Sequence, residues 1–284
     1  MPRNPSTPLA VLLLGLLTGA CVRSTAPDAS PVPALRLYAL DCGHIDVKDM
    51  GFFADGSPPG GKPGELIVPC FVIQHPRGTL VWDTGLSDGL PVGAEDPVGN
   101  RLRLETTLAA QLQKLGLAPV DVSYVGFSHL HADHAGNANV FPSSTWLLQR
   151  RELEWATRTP APPGVDPSRF SAWREARVQL LDGELDVFGD GTVRIIPTPG
   201  HTPGHQSLVL RLRQAGTYVL SGDLCHTREN WEHHGVPAFN DSREDTLASI
   251  SRVEALVKDS HGAFVVEHAP EDFKALPAFP AALE

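Results

Sequence analysis

Apolar residues fall along this 284-residue chain in short runs that end at Gly, Pro or a polar residue. Residues 35–40, 66–73, 79–82, 122–127, 146–148, 193–196, 207–212, 217–220 and 263–266 read as β-strands, because β-branched and aromatic runs bounded by turn formers are a strand signature. Two stretches follow a helical period instead. Residues 104–115 form one. The other begins after Asp241, with Glu244 as a capping partner, and puts Leu247, Ile250, Val253 and Val257 on one face. Lys258 near its end suits the helix dipole. Strands first pair without helices and then alternate with them, which predicts a single layered α/β domain with mixed sheets. Residues 157–171 and 43–65 lack periodicity and read as loops. The second loop carries Met50, Phe52 and Phe53, which either line an apolar pocket or pack under the loop.

The beginning of the chain follows a different pattern. Arg3 precedes an apolar run over residues 9–17, too short for a membrane span of about 20 residues but suited to the hydrophobic region of an export signal. Thr18-Gly19-Ala20-Cys21 resembles a bacterial lipoprotein box, in which the cysteine is lipidated. Cleavage after Ala20 by ordinary signal peptidase is the rival reading, and an N-terminal helix of the fold the third. Residues 22–34, rich in Pro, Ser and Ala, cannot bury enough surface to fold and read as a tether. The organisation expected is an export signal over 1–21, a tether over 22–34 and one folded domain over 35–284. Localisation then follows as exported and periplasmic, held to the membrane only through the lipidated N-terminus.

Composition narrows the partners. A net charge of -10 repels phosphate backbones, so nucleic acid is not expected as a partner and a small molecule is. Of the four cysteines, Cys42, Cys70 and Cys225 remain after Cys21. An exported compartment permits a Cys42–Cys70 disulfide. The favoured reading is that each is a small buried hydrophobe, because Cys70 lies inside an apolar run. No Cys-x-x-Cys is present, so a thiolate zinc site has no support.

The chemistry gathers at strand ends. The run ending at Phe127-Ser128 leads into His129-Leu130-His131-Ala132-Asp133-His134, and Gly136 permits close packing where the chain turns. Four ligand-type side chains within six residues suit zinc, and without a metal they would crowd costly polar groups together. Residues 198–205, Thr-Pro-Gly-His-Thr-Pro-Gly-His, follow another strand, and Pro and Gly there fix a tight loop that aims His201. Asp223 and His268 each close a further strand.

This combination resembles the metallo-β-lactamase superfamily over nearly all of residues 35–284. The resemblance implies an αββα sandwich of two mixed β-sheets flanked by helices. It implies two Zn2+ per chain, with cobalt, manganese or iron also compatible with such donors. His129, His131 and His201 would bind one ion, Asp133, His134 and His268 the second, and Asp223 would bridge them. A metal-bound hydroxide would attack the substrate, and Asp133 would carry a proton to the leaving group. Asp83, in Trp82-Asp83-Thr84-Gly85, would orient the metal-binding loop, or be a simple turn acid. His205 would support the site without binding metal.

Within the superfamily, Ser128–Gly136, Thr198–Ser207 and Asp223–Asn230 resemble the N-acyl homoserine lactonases that quench quorum signals. His226 stands where those enzymes often carry a Tyr that contacts the lactone carbonyl, and would donate a similar hydrogen bond. Ala132 stands where a bulky aromatic is common, which leaves more room beside the metals. The expected activity is opening of N-acyl homoserine lactones or similar lactones and esters. A periplasmic β-lactamase and a non-catalytic periplasmic zinc-binding protein are the alternatives. No separate C-terminal helical domain of the glyoxalase II kind is visible.

Overall fold

The computed structural model describes Met1, Pro2 and residues 34–55 and 61–284. Apart from Met1, Pro2 and Ala34, the expected export signal and tether lie outside the described residues. The strand Gly64–His75 reads as an unbroken apolar run rather than an alternating one, because both of its faces are buried. One sheet contains β1 (Arg36–Val47), β2 (Gly64–His75), β3 (Gly78–Trp82), β4 (Arg101–Arg103), β5 (Tyr124–Gly126), β6 (Thr145–Gln149) and β7 (Arg177–Leu181), in the order β4-β1-β2-β3-β5-β6-β7. The second contains β8 (Leu185–Asp186), β9 (Val193–Pro197), β10 (Gln206–Leu212), β11 (Gly216–Leu220) and β12 (Ala263–Val265), in the order β12-β11-β10-β9-β8. Both sheets are mixed: β1, β2 and β3 pair antiparallel and β3, β5, β6 and β7 parallel, while β11 pairs antiparallel with β10 and parallel with β12.

Alternate residues of one strand supply different layers. Phe71 and Ile73 of β2 join Trp82, Ile195, Leu208, Leu210 and Leu220 in the core between the sheets. Val72 points the other way and packs with Leu108 and Leu112 of α1 (Leu108–Lys114) and with Trp155 of α2 (Arg150–Ala156). On the far face of the second sheet, Val209 and Val219 meet Ile250 and Val253 of α4 (Arg243–Ser260). Two shorter helices, α3 (Arg228–His233) and α5 (Pro270–Ala275), complete the set. The result is the expected αββα sandwich.

Several local expectations are corrected. The cap of α4 is Ser242, whose hydroxyl accepts from the Asp245 N–H at 3.1 Å, while the Asp241 N–H is spent on the His201 carbonyl. The region 43–65 is not all loop: β1 continues to Val47 because it keeps pairing, with β2 on one side and β4 on the other. Cys42 and Cys70 are buried, as expected, yet they do not stay apart. A register shift between Asp41 and His44 puts the two residues 5.7 Å apart at Cα, and they form a disulfide. The strands β4, β7 and β8 and the helices α2, α3 and α5 are additions to the expected elements.

Closing a loop of sequence separation 28 restricts the unfolded chain. We predict that reducing this disulfide lowers unfolding stability by about 3–4 kcal/mol, a figure set by loop length. Denaturant titration with and without dithiothreitol checks this; coincident curves would show that the bridge carries no stability.

Candidate metal centre

Parallel neighbours end at the same sheet edge, and that rule assembles the centre. Strands β3 and β5 pair as Trp82↔Gly126, so Asp83 and Ser128-His129 leave the sheet side by side. Strands β11 and β12 pair as Leu220↔Val265, so Asp223 and His268 emerge together on the other sheet. The loop between antiparallel β9 and β10 opens at this edge with His201 and His205, and the Gln206 N–H joins the two sheets through the Ser128 carbonyl at 2.9 Å.

Two donor groups result. His129, His131, His201 and Asp223 form one, and Asp133, His134 and His268 the other, with the ligand atoms in each group within 4.8 Å of one another. In the first, His131 Nδ1 lies 2.9 Å from His129 Nε2 and 3.0 Å from His201 Nε2. In the second, His134 Nε2 and His268 Nε2 are 3.2 Å apart. Ligand atoms on a tetrahedral zinc lie roughly 3.3 Å from each other, given Zn–N bonds of about 2.0–2.1 Å. Asp223 spans the groups. Its Oδ2 is 3.2 Å from His201 Nε2 and 3.6 Å from His129 Nε2, and its Oδ1 is 3.1 Å from His134 Nε2 and 3.0 Å from His268 Nε2. Asp133 is the looser member, with Oδ2 at 3.6 Å from His134 and 3.7 Å from His268.

The outward nitrogens explain why a cation fits. His134 Nδ1 lies 2.9 Å from the Asp83 carboxylate, His268 Nδ1 2.6 Å from the Ile67 carbonyl and His201 Nδ1 3.0 Å from Asn240 Oδ1. Each partner accepts, so each Nδ1 carries the proton and each Nε2 turns a lone pair inward. When neutral, His134 and His268 face each other lone pair to lone pair, an arrangement that calls for positive charge between them. The titration behaviour agrees. Burial opposes protonation of both, but Asp223 leads the charges that outweigh it, raising His268 to about 9 and His134 well above the usual imidazole range. Burial and neighbouring imidazoles instead hold His131 down at about 3 and His129 far below normal. Burial works against ionisation of Asp223, yet His134 and His268 keep its carboxyl well below the ordinary range.

Asp83 is fully buried, with a left-handed φ of 54°. It accepts from the Ser128 N–H and hydroxyl, each at 2.7 Å, as well as from His134. It therefore ties the start of the histidine run to its end, beyond what a simple turn acid does. A Cβ at Gly136 would lie 2.3 Å from the Gly85 carbonyl, so glycine allows the run to pack on this turn. His205 faces away from metal binding: its Nδ1–H donates to the Thr198 carbonyl at 2.9 Å, and its Nε2 accepts from the Asp223 N–H at 2.8 Å. His226 lies against the first group, with Nε2 at 3.1 Å from Asp223 Oδ2, and burial lowers it to about 4. Its Nδ1 is buried without a partner.

Phe53 lies 5.0 Å from the His226 ring, and half-exposed Phe52 stacks on Phe239 at 4.9 Å. Met50 instead packs in a small cluster with Val47, Phe53 and Leu66. Half-buried Ala132 binds the Gly164 carbonyl through its N–H at 3.0 Å, so residues 157–171 form a loop that braces the site. Phe239, Asn240, Glu152 and Glu267 also stand at the site, although the sequence pattern does not single them out. Buried Glu267 accepts from the Gly222 N–H at 2.7 Å and the Trp82 indole N–H at 3.3 Å; burial, with Asp83 nearby, raises it to about 8. Its one signal was an acid next to His268 in an apolar strand end.

A two-sheet sandwich with histidines and aspartates converging at one edge defines a class of metal-dependent hydrolase. Residues 63–266 match the metallo-β-lactamase superfamily. The chain is 33% identical to the N-acyl homoserine lactonase AttM of Azorhizobium caulinodans, over 86% of this chain and 98% of that one. A crystal structure of a quorum-quenching N-acyl homoserine lactone hydrolase superposes with a TM-score of 0.78 at 26% identity, covering 89% of this chain and all of the other. A second structure of an N-acyl homoserine lactone hydrolase, with the product N-hexanoyl-L-homoserine bound at the catalytic metal centre, gives 0.76 at 27% identity, covering 89% of this chain and 100% of the other. The chain belongs to the metallo-β-lactamase superfamily and, within it, to the N-acyl homoserine lactonase family.

Asn tolerates left-handed backbone, so Asp83→Asn should preserve the turn while removing the anion. We predict roughly 10–100-fold weaker metal affinity in competition with a chromophoric chelator, the usual effect of losing such a support. Unchanged affinity would reduce Asp83 to a turn residue.

Proposed function

We propose that this chain opens the lactone ring of N-acyl homoserine lactones at a dinuclear zinc centre. The observation that carries the reading is Asp223, whose two oxygens address two separate donor groups. His129, His131 and His201 would hold one ion, Asp133, His134 and His268 the other, with Asp223 shared. When bound, two zinc ions supply water acidified towards neutrality and a Lewis acid for the carbonyl.

The chain's own groups supply the rest. His226 is neutral at pH 7, so its ring has a single N–H to offer. We assign that N–H to Nε2, which lies 3.1 Å from Asp223 Oδ2; with Asp223 committed to metal, it would be the donor to the lactone carbonyl oxygen as negative charge develops there. Asp133 has 22% of its side chain exposed and so opens to the cleft. We assign it the relay of a proton from the attacking water to the ring oxygen, which leaves as the alkoxide when the C–O bond breaks. The aromatic wall of Phe52, Phe53 and Phe239 offers the N-acyl chain an apolar surface. The similarity to N-acyl homoserine lactonases supports this substrate class.

This reading is tested with a homoserine lactone series, a carbapenem and nitrocefin. Lactones should turn over and both β-lactams stay inert, while His131→Ala abolishes turnover with the fold retained. His226→Phe should lower kcat by on the order of 100-fold, the scale of one lost oxyanion donor. Rapid carbapenem hydrolysis with inert lactones, or full activity of zinc-loaded His131→Ala, would sink the assignment.

We also propose export with lipidation at Cys21. The N-terminal pattern supports this, and the Cys42–Cys70 disulfide suits an oxidising compartment. Expressed in a Gram-negative host, the chain should fractionate with membranes and incorporate labelled palmitate, and Cys21→Ser should release it. A protein found unprocessed in the cytosol would contradict the proposal.

A further inference from the structure

Glu152 is a carboxylic acid with none of its surface exposed, set in α2 behind the metal centre. Taking a carboxylate out of water costs several kcal/mol unless its lone pairs are met. Here three donors meet them. Oε1 accepts from the Leu130 N–H at 2.9 Å, the peptide between His129 and His131. Oε2 accepts from the Thr202 hydroxyl at 2.6 Å and the Gly204 N–H at 3.1 Å, in the loop that carries His201. A Cβ at Gly204 would lie 2.3 Å from the Glu152 backbone nitrogen, so glycine lets that loop close onto the helix.

The arrangement joins two segments from different sheets. The His129–His131 segment follows β5, the His201 loop follows β9, and neither segment has its own ladder to fix it. Glu152 bonds the backbone of both. All three partners are donors, so an ionised carboxylate satisfies them, whereas a carboxamide must turn its NH2 towards at least one.

We infer that Glu152 is a positioning residue that sets the spacing of His129 and His131 against His201, and with it the metal affinity of that half of the centre. This rests on the reading that these imidazoles hold a metal ion. Glu152 touches no reacting group; it acts through the backbone of the residues that do.

The test compares full-length wild type with Glu152→Gln, Thr202→Val and the exposed control Glu154→Gln. Zinc affinity is measured by chelator competition, geometry by the absorption spectrum of the cobalt-loaded protein, and turnover at limiting and at excess zinc. Glu152→Gln should bind one of two zinc ions about 10–100-fold more weakly, the scale seen for lost supporting partners. Its cobalt spectrum should shift, and its kcat should fall at limiting zinc and recover in excess, with KM little changed. Thr202→Val should weaken binding a few-fold, and Glu154→Gln should match wild type. Wild-type zinc affinity and cobalt spectrum in Glu152→Gln would overturn the inference. If that variant fails to fold, unchanged zinc affinity in Thr202→Val would overturn it, leaving Glu152 a purely structural anchor. A wild-type chain that binds no metal would instead overturn the metal-centre reading and this inference with it.

Discussion

A single buried carboxylate shared between two sets of imidazoles is the constraint on which the rest of this molecule depends. Asp223 is 3% exposed and stands within 3.0–3.6 Å of nitrogens from His129, His134, His201 and His268. These residues come from segments far apart in sequence. Only a fold that brings several strand ends to one edge can deliver them. The sandwich does so through parallel pairing: β3 with β5 in one sheet and β11 with β12 in the other.

Holding that cluster costs desolvation, and the surrounding protein offsets the cost with a ring of buried acceptors and donors. Asp83 restrains the two ends of the histidine run, His205 catches the Asp223 peptide, and Glu267 fixes the preceding Gly222 N–H. Glu152 does the same for the loops on the opposite side. Each outward hydrogen bond also selects an imidazole tautomer, so the same contacts that orient the rings aim their lone pairs. The lactonase reading uses this geometry directly. Two half-centres sharing one carboxylate suit a reaction in which charge appears on one oxygen and leaves on another.

Much of this was legible in the chain. The nine expected strands all correspond to observed ones, because buried β-branched runs ending in Gly or Pro leave few alternatives. The His129–His134 run, His201, Asp223 and His268 stood out because polar ligand-type residues at the ends of apolar strands need a reason. What escaped has physical explanations. Strand β7, Arg-Val-Gln-Leu-Leu, and the three-residue β4 are edge strands that take their pairing from neighbours. Helix α2 spans only seven residues, too few to show a period. Glu152 looked like any surface acid because its three donors come from residues 22 to 52 positions away. The Cys42–Cys70 pairing depended on a bulge that no composition reveals.

The claim that Asp223 is shared by two metal ions is tested most directly by anomalous diffraction at the zinc edge from crystals of the metal-loaded protein. Two peaks about 3.5–4 Å apart are expected, the usual separation in two-metal hydrolases, with one Asp223 oxygen directed at each. A single peak, or two peaks with Asp223 bound to neither, would contradict it.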